Sequence, residues 1–105
     1  MINPMNKVQI TESLKDLPGW TFGDNKLHKI YKFKDFREAM AFLVRLSYEA
    51  ENRNHHPEIF NCYNLVELAL NTHDAGGKVT ELDFDLARAA EKFFKLFFPI
   101  RLNRA

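Results

Sequence analysis

Hydrophobic and polar residues follow two different periods along the chain, and these periods divide it into helices and strands. After a polar start, the segment TESLKDLPGW predicts a two-turn helix that Thr11 caps and that Pro18 and Gly19 end. The aromatic-rich segment WTFGDNKLHKIYKF then predicts a hairpin with its turn at residues 23–25. The first third of the chain should therefore supply one short helix and two strands.

A long amphipathic helix is predicted after this hairpin. Asp35 and Glu38 have the spacing of an N-cap and its capping partner, and apolar residues then recur at helical spacing up to about Arg53. Pro57 prevents this helix from continuing into the next segment. The side that we expect to be buried carries Phe36, Met40, Leu43, Ser47 and Ala50.

The second half of the chain repeats this order of elements. Two strand-like runs, IFNCY and LVELALNT, lie on either side of Asn64, which is a favourable turn residue. After the loop HDAGGK, Thr80 and Asp83 form a capping pair for a second long helix. The expected core positions are Val66, Leu68 and Leu70 in the strand and Leu86, Ala90, Phe93 and Phe97 in the helix.

The predicted order α-β-β-α-β-β-α indicates an α+β fold. It implies a four-stranded antiparallel sheet with the helices packed on one face. The chain has 105 residues, of which 46% are hydrophobic, and this is enough for one modest core. We therefore expect residues 1–105 to form a single domain with its core at about residues 10–98.

Charge balance and apolar run lengths argue against several classes of partner. The 15 basic residues are balanced by 14 acidic ones, so no bulk field favours direct binding of nucleic acid or anionic lipid. No apolar run approaches the roughly 20 residues that span a bilayer, which predicts a cytoplasmic protein without membrane contact. Cys62 is the single cysteine, and we expect it to be a small buried side chain.

Three of the four histidines lie in the segment 54–74. In a tight antiparallel hairpin around Asn64, opposed residues have numbers that add up to about 128, which sets His55 near His73. His56 should emerge at the same edge, because neighbouring strands are separated by roughly 4.8 Å. Imidazole gives and takes protons near neutral pH, so the cluster predicts general acid and base catalysis by these three histidines.

Two other interpretations of the histidine cluster stay open at this point. Three histidines can bind zinc, although the adjacent pair His55-His56 differs from the helical His-x-x-x-His spacing of zinc sites. Each histidine could also simply satisfy backbone groups of a loop. The convergence of three imidazoles at one edge favours proton transfer over both.

The histidines belong to a longer pattern with fixed gaps. It consists of an acidic residue, three spacers, His-His-Pro, five spacers, an aromatic residue, nine spacers, a histidine and a later aspartate. Its positions are Glu51, His55, His56, Pro57, Tyr63, His73 and Asp83. This pattern resembles the signature of the pterin-4a-carbinolamine dehydratases, and the likeness covers roughly residues 10–95, with Gly19-Trp20 and the segments 33–36 and 85–87 also in family positions.

The resemblance implies a hydro-lyase that converts a 4a-hydroxytetrahydropterin, such as 4a-hydroxytetrahydrobiopterin, to quinonoid dihydropterin and water in tetrahydropterin recycling. It implies no metal and no organic cofactor. By similarity, His55 and His73 are the proton-transferring pair, and His56 binds or polarises the pterin. The expected substrate-binding residues are Asn54, His55, His56, Pro57, Asn71, Thr72, His73 and Asp74.

Two acidic residues are expected to support this site. Glu51 lies one turn before the histidine pair, where it either orients one of them or is an ordinary surface residue of the helix. Asp83 completes the family pattern, but Thr80-x-x-Asp83 is also a complete capping pair, so we expect its main role to be structural.

The last helix and the resemblance both imply a homodimer or homotetramer. The aromatic and aliphatic residues of the last helix cover more than the single stripe of a core helix, and free sheet edges can pair across a twofold axis.

Two alternatives to the dehydratase remain. One is a relative with a different pterin substrate, as in molybdenum-cofactor metabolism, because Asn54 and Ile59 occupy positions where animal members have Asp and Trp. The other is a non-enzymatic binding module, since animal relatives stabilise dimers of a homeodomain transcription factor.

Overall fold

The structure is a computed structural model that describes residues 2–98. Three helices, four strands and one 3-10 turn follow one another along the chain. They are α1 (Lys7–Leu14), β1 (Thr21–Gly23), β2 (Lys26–Lys32), α2 (Phe36–Arg53), β3 (Glu58–Cys62), β4 (Leu65–Leu70), the 3-10 turn (His73–Ala75) and α3 (Glu81–Phe97). The predicted α+β fold and its element order are confirmed.

The four strands form one antiparallel sheet in the order β1-β2-β4-β3. Leu27 of β2 lies opposite Leu70 of β4, and Glu58 of β3 lies opposite Ala69. Because successive side chains of a strand point to opposite faces, this register places one apolar set under the helices. The buried strand residues are Leu27, Tyr31, Val66, Leu68 and Leu70.

Both long helices pack on the same face of the sheet. The Tyr31 ring centroid lies 4.8 Å from that of Phe42 in α2 and 4.7 Å from that of Phe94 in α3. Phe42 also contacts Phe93, at 5.0 Å between centroids. Rings at these distances add to the stability that burial already gives, so the aromatic cluster fixes both helices against β2.

The two hairpin turns lie where the sequence predicts them. Asp24 and Asn25 both have positive φ, at 58° and 61°, as a two-residue turn between twisted strands requires. In the second turn Tyr63 has the positive φ, at 52°, and Asn64 follows it. The Asn64 Nδ2 donates to the carbonyl of Phe33 at 2.9 Å, which ties this turn to the end of β2.

The predicted cap of the first helix is wrong. α1 begins five residues earlier than a cap at Thr11 would place it, because Asn6 and Gln9 form a capping box in which each side chain accepts from the backbone N–H of the other at 2.8 Å. The Thr11 hydroxyl instead donates to the carbonyl of Lys7 inside the helix. The N-cap predicted for α2 is correct, since Asp35 accepts from the backbone N–H of Glu38.

The buried stripe of α2 differs from the predicted one. Only Ala50 of the predicted set is fully buried, and Phe36 is exposed. The helix has two neighbouring apolar stripes, and periodicity alone cannot decide between them. The side that packs on Tyr31 and α3 carries Ala39, Phe42, Leu46 and Ala50.

Two further burial predictions are wrong. In α3 the expected core residues Leu86, Ala90 and Phe93 are buried, but Phe97 is 56% exposed because its ring lies beside Arg45 of α2, not over the sheet. Cys62 is exposed, and it is the last residue of β3, a strand at the edge of the sheet. Within residues 2–98 no helix combines the length and hydropathy needed to cross a membrane.

Candidate active site

The candidate site forms where α2 ends, β3 begins, β4 ends and α3 begins. Asn54 ends α2 in the left-handed conformation, with φ 48° and ψ 44°, which Asn adopts more readily than most residues. The backbone N–H of His55 then donates to the carbonyl of Ala50 at 3.0 Å. This tight exit turns the histidine pair towards the end of β4.

The β3-β4 ladder ends before it reaches the histidines. Its last pair is Glu58 with Ala69, so His55 and His73 lie beyond the paired strands, in the connections to α2 and α3. The two histidines therefore share the edge of the sheet that the sequence predicts for them, but the helix termini and not strand pairing position their rings.

A cavity of about 410 Å³ opens at this end of the sheet. All three candidate histidines line it, as does every predicted substrate-binding residue except Pro57. Three residues that the sequence does not single out also line it, namely Ile2, Arg53 and Leu82. The full lining is Ile2, Arg53, Asn54, His55, His56, Asn71, Thr72, His73, Asp74 and Leu82.

His55 and Asp83 form a buried pair in this site. The Nε2 of His55 lies 2.5 Å from Oδ1 of Asp83, and the two residues are 8% and 0% exposed. An ionised carboxylate can only accept, so Nε2 carries the hydrogen and donates it. The neutral ring then has Nδ1 as its single proton acceptor.

Asp83 also organises the start of α3. Its Oδ2 accepts from the backbone N–H of Thr80 and from the Thr72 hydroxyl, both at 2.8 Å. The hydroxyls of Thr72 and Thr80 lie 2.7 Å apart, so Thr80 donates to Thr72 while Thr72 donates to Asp83. The expected cap is therefore present, and the same carboxylate holds His55. Thr72 is buried and uses its hydroxyl in this network.

His56 has a different partner. Its Nε2 lies 2.8 Å from Oε1 of Glu51, one helical turn earlier, and both side chains are largely exposed. Of the two interpretations of Glu51, this contact favours orientation of a histidine. An exposed pair of this kind contributes little stability, typically about 0.2–1 kcal/mol, so it directs the ring more than it stabilises the fold.

His73 opens the 3-10 turn, and its side chain is fully exposed. Its Nδ1 lies 3.5 Å from Oδ1 of Asp74. The loop behind it is held by the Thr72 N–H, which donates to Lys78 O at 2.8 Å, and by the Asn71 amide, which donates to Gly77 O at 3.1 Å. His73 is thus a solvent-accessible imidazole on an anchored loop.

Arg53 is fixed at the wall of the cavity by two carboxylates. Its Nη1 donates to Oε1 of Glu49 at 2.7 Å, and its Nε donates to Oδ2 of Asp85 at 3.0 Å. Burial by itself lowers the pKa of this guanidinium, but its bonds to Glu49 and Asp85 outweigh burial and raise the pKa. The i,i+4 spacing of Glu49 and Arg53 could have revealed this tether from sequence, whereas no local pattern points to Ile2.

The arrangement of side chains suits proton transfer. It combines a buried imidazole that a carboxylate holds, an exposed imidazole that lines the same cavity and a third that a glutamate orients. Among residues 2–98, no three His, Cys, Asp or Glu side chains are grouped so that they could hold a metal ion.

Comparison with known proteins assigns the chain to a family. The family model described as Pterin 4 alpha carbinolamine dehydratase matches residues 3–93, which is most of the chain. The chain belongs to this family. The resemblance that the histidine pattern carries is confirmed, because the match spans the helices and the sheet as well as the histidine segment.

Similar bacterial proteins support the same assignment. A protein of Opitutus terrae, provisionally named a pterin-4-alpha-carbinolamine dehydratase, is 50% identical over 88 residues, which cover 84% of this chain and 91% of the relative. A protein of Christiangramia forsetii with the same provisional name is 43% identical over 91 residues, covering 87% and 93%.

Solved structures agree with the fold. The crystal structure of a transcriptional coactivator/pterin dehydratase from Brucella melitensis superposes with a TM-score of 0.82 at 38% identity, covering 86% of this chain and 97% of that one. A pterin dehydratase-like protein, described as a RuBisCO assembly factor in the alpha-carboxysome, shares the fold with a TM-score of 0.60 at 23% identity, covering 72% and 89%.

Proposed function

We propose that this protein dehydrates a 4a-hydroxytetrahydropterin to quinonoid dihydropterin and water, without a metal or organic cofactor. The observation that carries the proposal is the buried His55–Asp83 pair in a cavity that His56 and His73 also line. Membership of the pterin 4 alpha carbinolamine dehydratase family supplies the substrate class.

The reaction requires one proton to leave the substrate and one to arrive. The N5–H bond breaks, the nitrogen electron pair forms the N5=C4a double bond, and the C4a–O bond breaks. The leaving oxygen takes up a proton and departs as water. Hydroxide is a poor leaving group near neutral pH, so an acid at the oxygen and a base at N5 both lower the barrier.

His55 has the geometry of a base. With Nε2–H held by Asp83, its Nδ1 is free to accept the N5 proton, and the adjacent carboxylate stabilises the imidazolium that forms. His73 is the acid in this scheme, because its exposed ring recovers a proton from water after each turnover. Glu51 orients His56 to bind the pterin.

Amide and carboxylate groups around the cavity suit the pyrimidine edge of a pterin, which carries both donors and acceptors. Asn54, Asn71 and Asp74 supply these groups. Thr72 contributes through its network with Asp83, and Pro57, which lies outside the cavity lining, contributes by directing the chain from α2 into β3.

We also propose that the protein works in the cytoplasm as a homodimer or homotetramer, in tetrahydropterin recycling. An exposed apolar stripe on α2 supports self-association, and its members are Phe36, Val44 and Tyr48. Light scattering after size-exclusion chromatography should give a mass of two or four chains. A mass of one chain at micromolar concentration would contradict the oligomer.

Absorbance spectroscopy on enzymatically generated 4a-hydroxytetrahydropterin tests the activity. The parent should accelerate dehydration over the spontaneous rate, and His55→Ala/His73→Ala should lose the acceleration. His28→Ala is the matched control, since His28 lies in β2 and does not line the cavity. If the parent gives no acceleration, the dehydratase is excluded, and the exposed stripe of α2 makes a binding module the next candidate.

A further inference from the structure

A second cavity, of about 330 Å³, lies between α2 and α3 beside the histidine site. Arg53 lines both cavities and so forms the wall between them. The second cavity is lined largely by charged side chains of the two helices, and we refer to it as the interhelical groove. Its charged residues are Arg45, Glu49, Arg53, Asp85, Arg88 and Lys92.

Positive charge exceeds negative charge in the interhelical groove, by four cationic side chains to two carboxylates. The carboxylates are already engaged, because Glu49 accepts from Arg45 and Arg53, and Asp85 accepts from Arg53. Among residues 2–98, the ion-pair partner of Arg88 is Glu81, at 3.9 Å, which lies outside the groove. Within residues 2–98 Lys92 has no ion-pair partner, and the partner of Arg88 lies outside the groove, so both cations leave the groove itself with an excess of positive charge.

The guanidinium groups of the groove are held in place before any ligand arrives. Arg45 lies over the rings of Phe93 and Phe97, at 5.5 Å and 5.4 Å, and Arg88 lies over Phe84 at 5.7 Å. Stacking uses the face of a guanidinium and leaves its N–H edge available. The Nη2 of Arg53 makes no hydrogen bond to any residue of the described chain, 2–98.

We propose that the interhelical groove binds an oxyanion, a carboxylate or phosphate, on the side chain of a pterin whose ring occupies the histidine cavity. This inference rests on the proposed function and narrows it, because it favours pterins with an anionic side chain over those with a neutral one. The side chain leaves the cavity past Arg53 and reaches Arg88 and Lys92. Direct N–H···O contacts to fixed cations give such a site its specificity.

Equilibrium binding of two stable ligands tests the groove. One is 7,8-dihydrobiopterin, whose side chain is neutral, and the other is 7,8-dihydrofolate, whose side chain ends in a glutamate dicarboxylate. Calorimetry at low ionic strength should give dihydrofolate an affinity about tenfold higher, which corresponds to about 1.4 kcal/mol. This advantage should shrink as salt is added, because the charges are partly exposed.

Charge-matched variants locate the effect. Arg88→Gln/Lys92→Gln should remove the advantage of dihydrofolate and leave dihydrobiopterin binding unchanged. Arg37→Gln/Lys95→Gln removes the same charge from the same two helices outside the groove, and it should keep the advantage. Circular dichroism of both variants checks that the helices persist.

The possible failures of the two proposals can be told apart. If neither ligand binds the parent, the proposed function is overturned and the groove proposal with it. If dihydrobiopterin binds and dihydrofolate binds no tighter, or if both double variants lose the advantage equally, only the groove proposal is overturned. Inorganic phosphate that binds with the same dependence on Arg88 and Lys92, while dihydrofolate shows no advantage, would assign the groove to free anions and also overturn the proposal.

Discussion

Asp83 accepts a hydrogen bond from the His55 ring with one carboxylate oxygen and caps α3 with the other. Both residues are buried, so water does not compete for these bonds. One side chain thus sets the tautomer of a candidate catalytic imidazole and the start of a core helix.

Replacing Asp83 with Asn should separate chemistry from capping. An amide cannot accept at both of its atoms, so if it keeps the bonds from Thr80 and Thr72, it presents an NH₂ group to His55 and reverses the tautomer. We expect Asp83→Asn to lower kcat on the order of 100-fold. Steady-state dehydration kinetics measure this change.

Glu81→Gln is the control for Asp83→Asn, because it removes an exposed carboxylate from the same first turn of α3 without touching His55. It should keep parental kcat. Parental kcat in Asp83→Asn, or an equal loss in both variants, would show that the His55–Asp83 bond does not serve the reaction.

The contact between Glu51 and His56 predicts an effect on substrate binding. Removing the carboxylate in Glu51→Ala frees the His56 ring, and the exposed pair contributes about 0.5 kcal/mol, so KM should rise about twofold to threefold while kcat stays unchanged. Glu51→Gln keeps an acceptor for the ring and should keep parental KM. A fall in kcat for Glu51→Ala would assign His56 to proton transfer instead.

Ile2 and Leu82 are the apolar members of the cavity lining, and a flat pterin ring needs such a surface. Ile2→Ser should remove about 40 Å² of apolar contact with the ligand, and at about 25 cal/mol per Å² this costs about 1 kcal/mol of binding free energy. The Kd for 7,8-dihydrobiopterin should therefore be about fivefold weaker. Val8→Ser on α1 changes an exposed aliphatic residue away from the site and should leave Kd unchanged. Equal Kd values for parent and Ile2→Ser would remove Ile2 from the site.

The carboxylate of Glu49 predicts a pH dependence of stability. Its hydrogen bond from Arg53 holds its pKa below the usual range, and burial only partly opposes this shift. Because the folded pKa is below the unfolded one, the contribution of Glu49 is present above the unfolded pKa, about 4.3, and is lost as pH falls through the folded value.

Urea unfolding of parent and Glu49→Gln between pH 7 and pH 3 measures this contribution. The parent should be more stable at pH 7, and the difference should shrink as pH falls below about 5. Glu12→Gln, which breaks an exposed pair with Lys15 on α1, should show a smaller difference. If the difference in free energy of unfolding between parent and Glu49→Gln stays constant down to pH 3, the proposed contribution of the Glu49 carboxylate is contradicted.

The sequence predicts the elements well, and most of the buried face of α3, but it does not predict the buried face of α2. Caps such as Asp35 and Thr80 and the turn at Asn64 depend on neighbours a few residues away, so local patterns identify them. The buried face of α2 depends on contacts with Tyr31 and α3, which lie far away in the chain. For this reason the sequence wrongly predicts that Phe36 is buried, whereas it is exposed.

The candidate site likewise has features that the sequence predicts and features that depend on tertiary contacts. The convergence of His55, His56 and His73 is predicted from strand geometry and the family pattern, and all three line one cavity. The bond from His55 to Asp83 joins residues 28 positions apart, so it depends on how the end of α2 meets the start of α3. Ile2 likewise reaches the cavity only through the tertiary fold.

The left-handed backbone at Asn54 explains a difference from the animal members of the family. Asn and Asp are, after Gly, the residues that tolerate positive φ best, so either satisfies this exit from α2. The exchange of Asp for Asn therefore preserves this conformational requirement. In related sequences, the residue at this position should therefore be Asn, Asp or Gly, whatever substrate each protein binds.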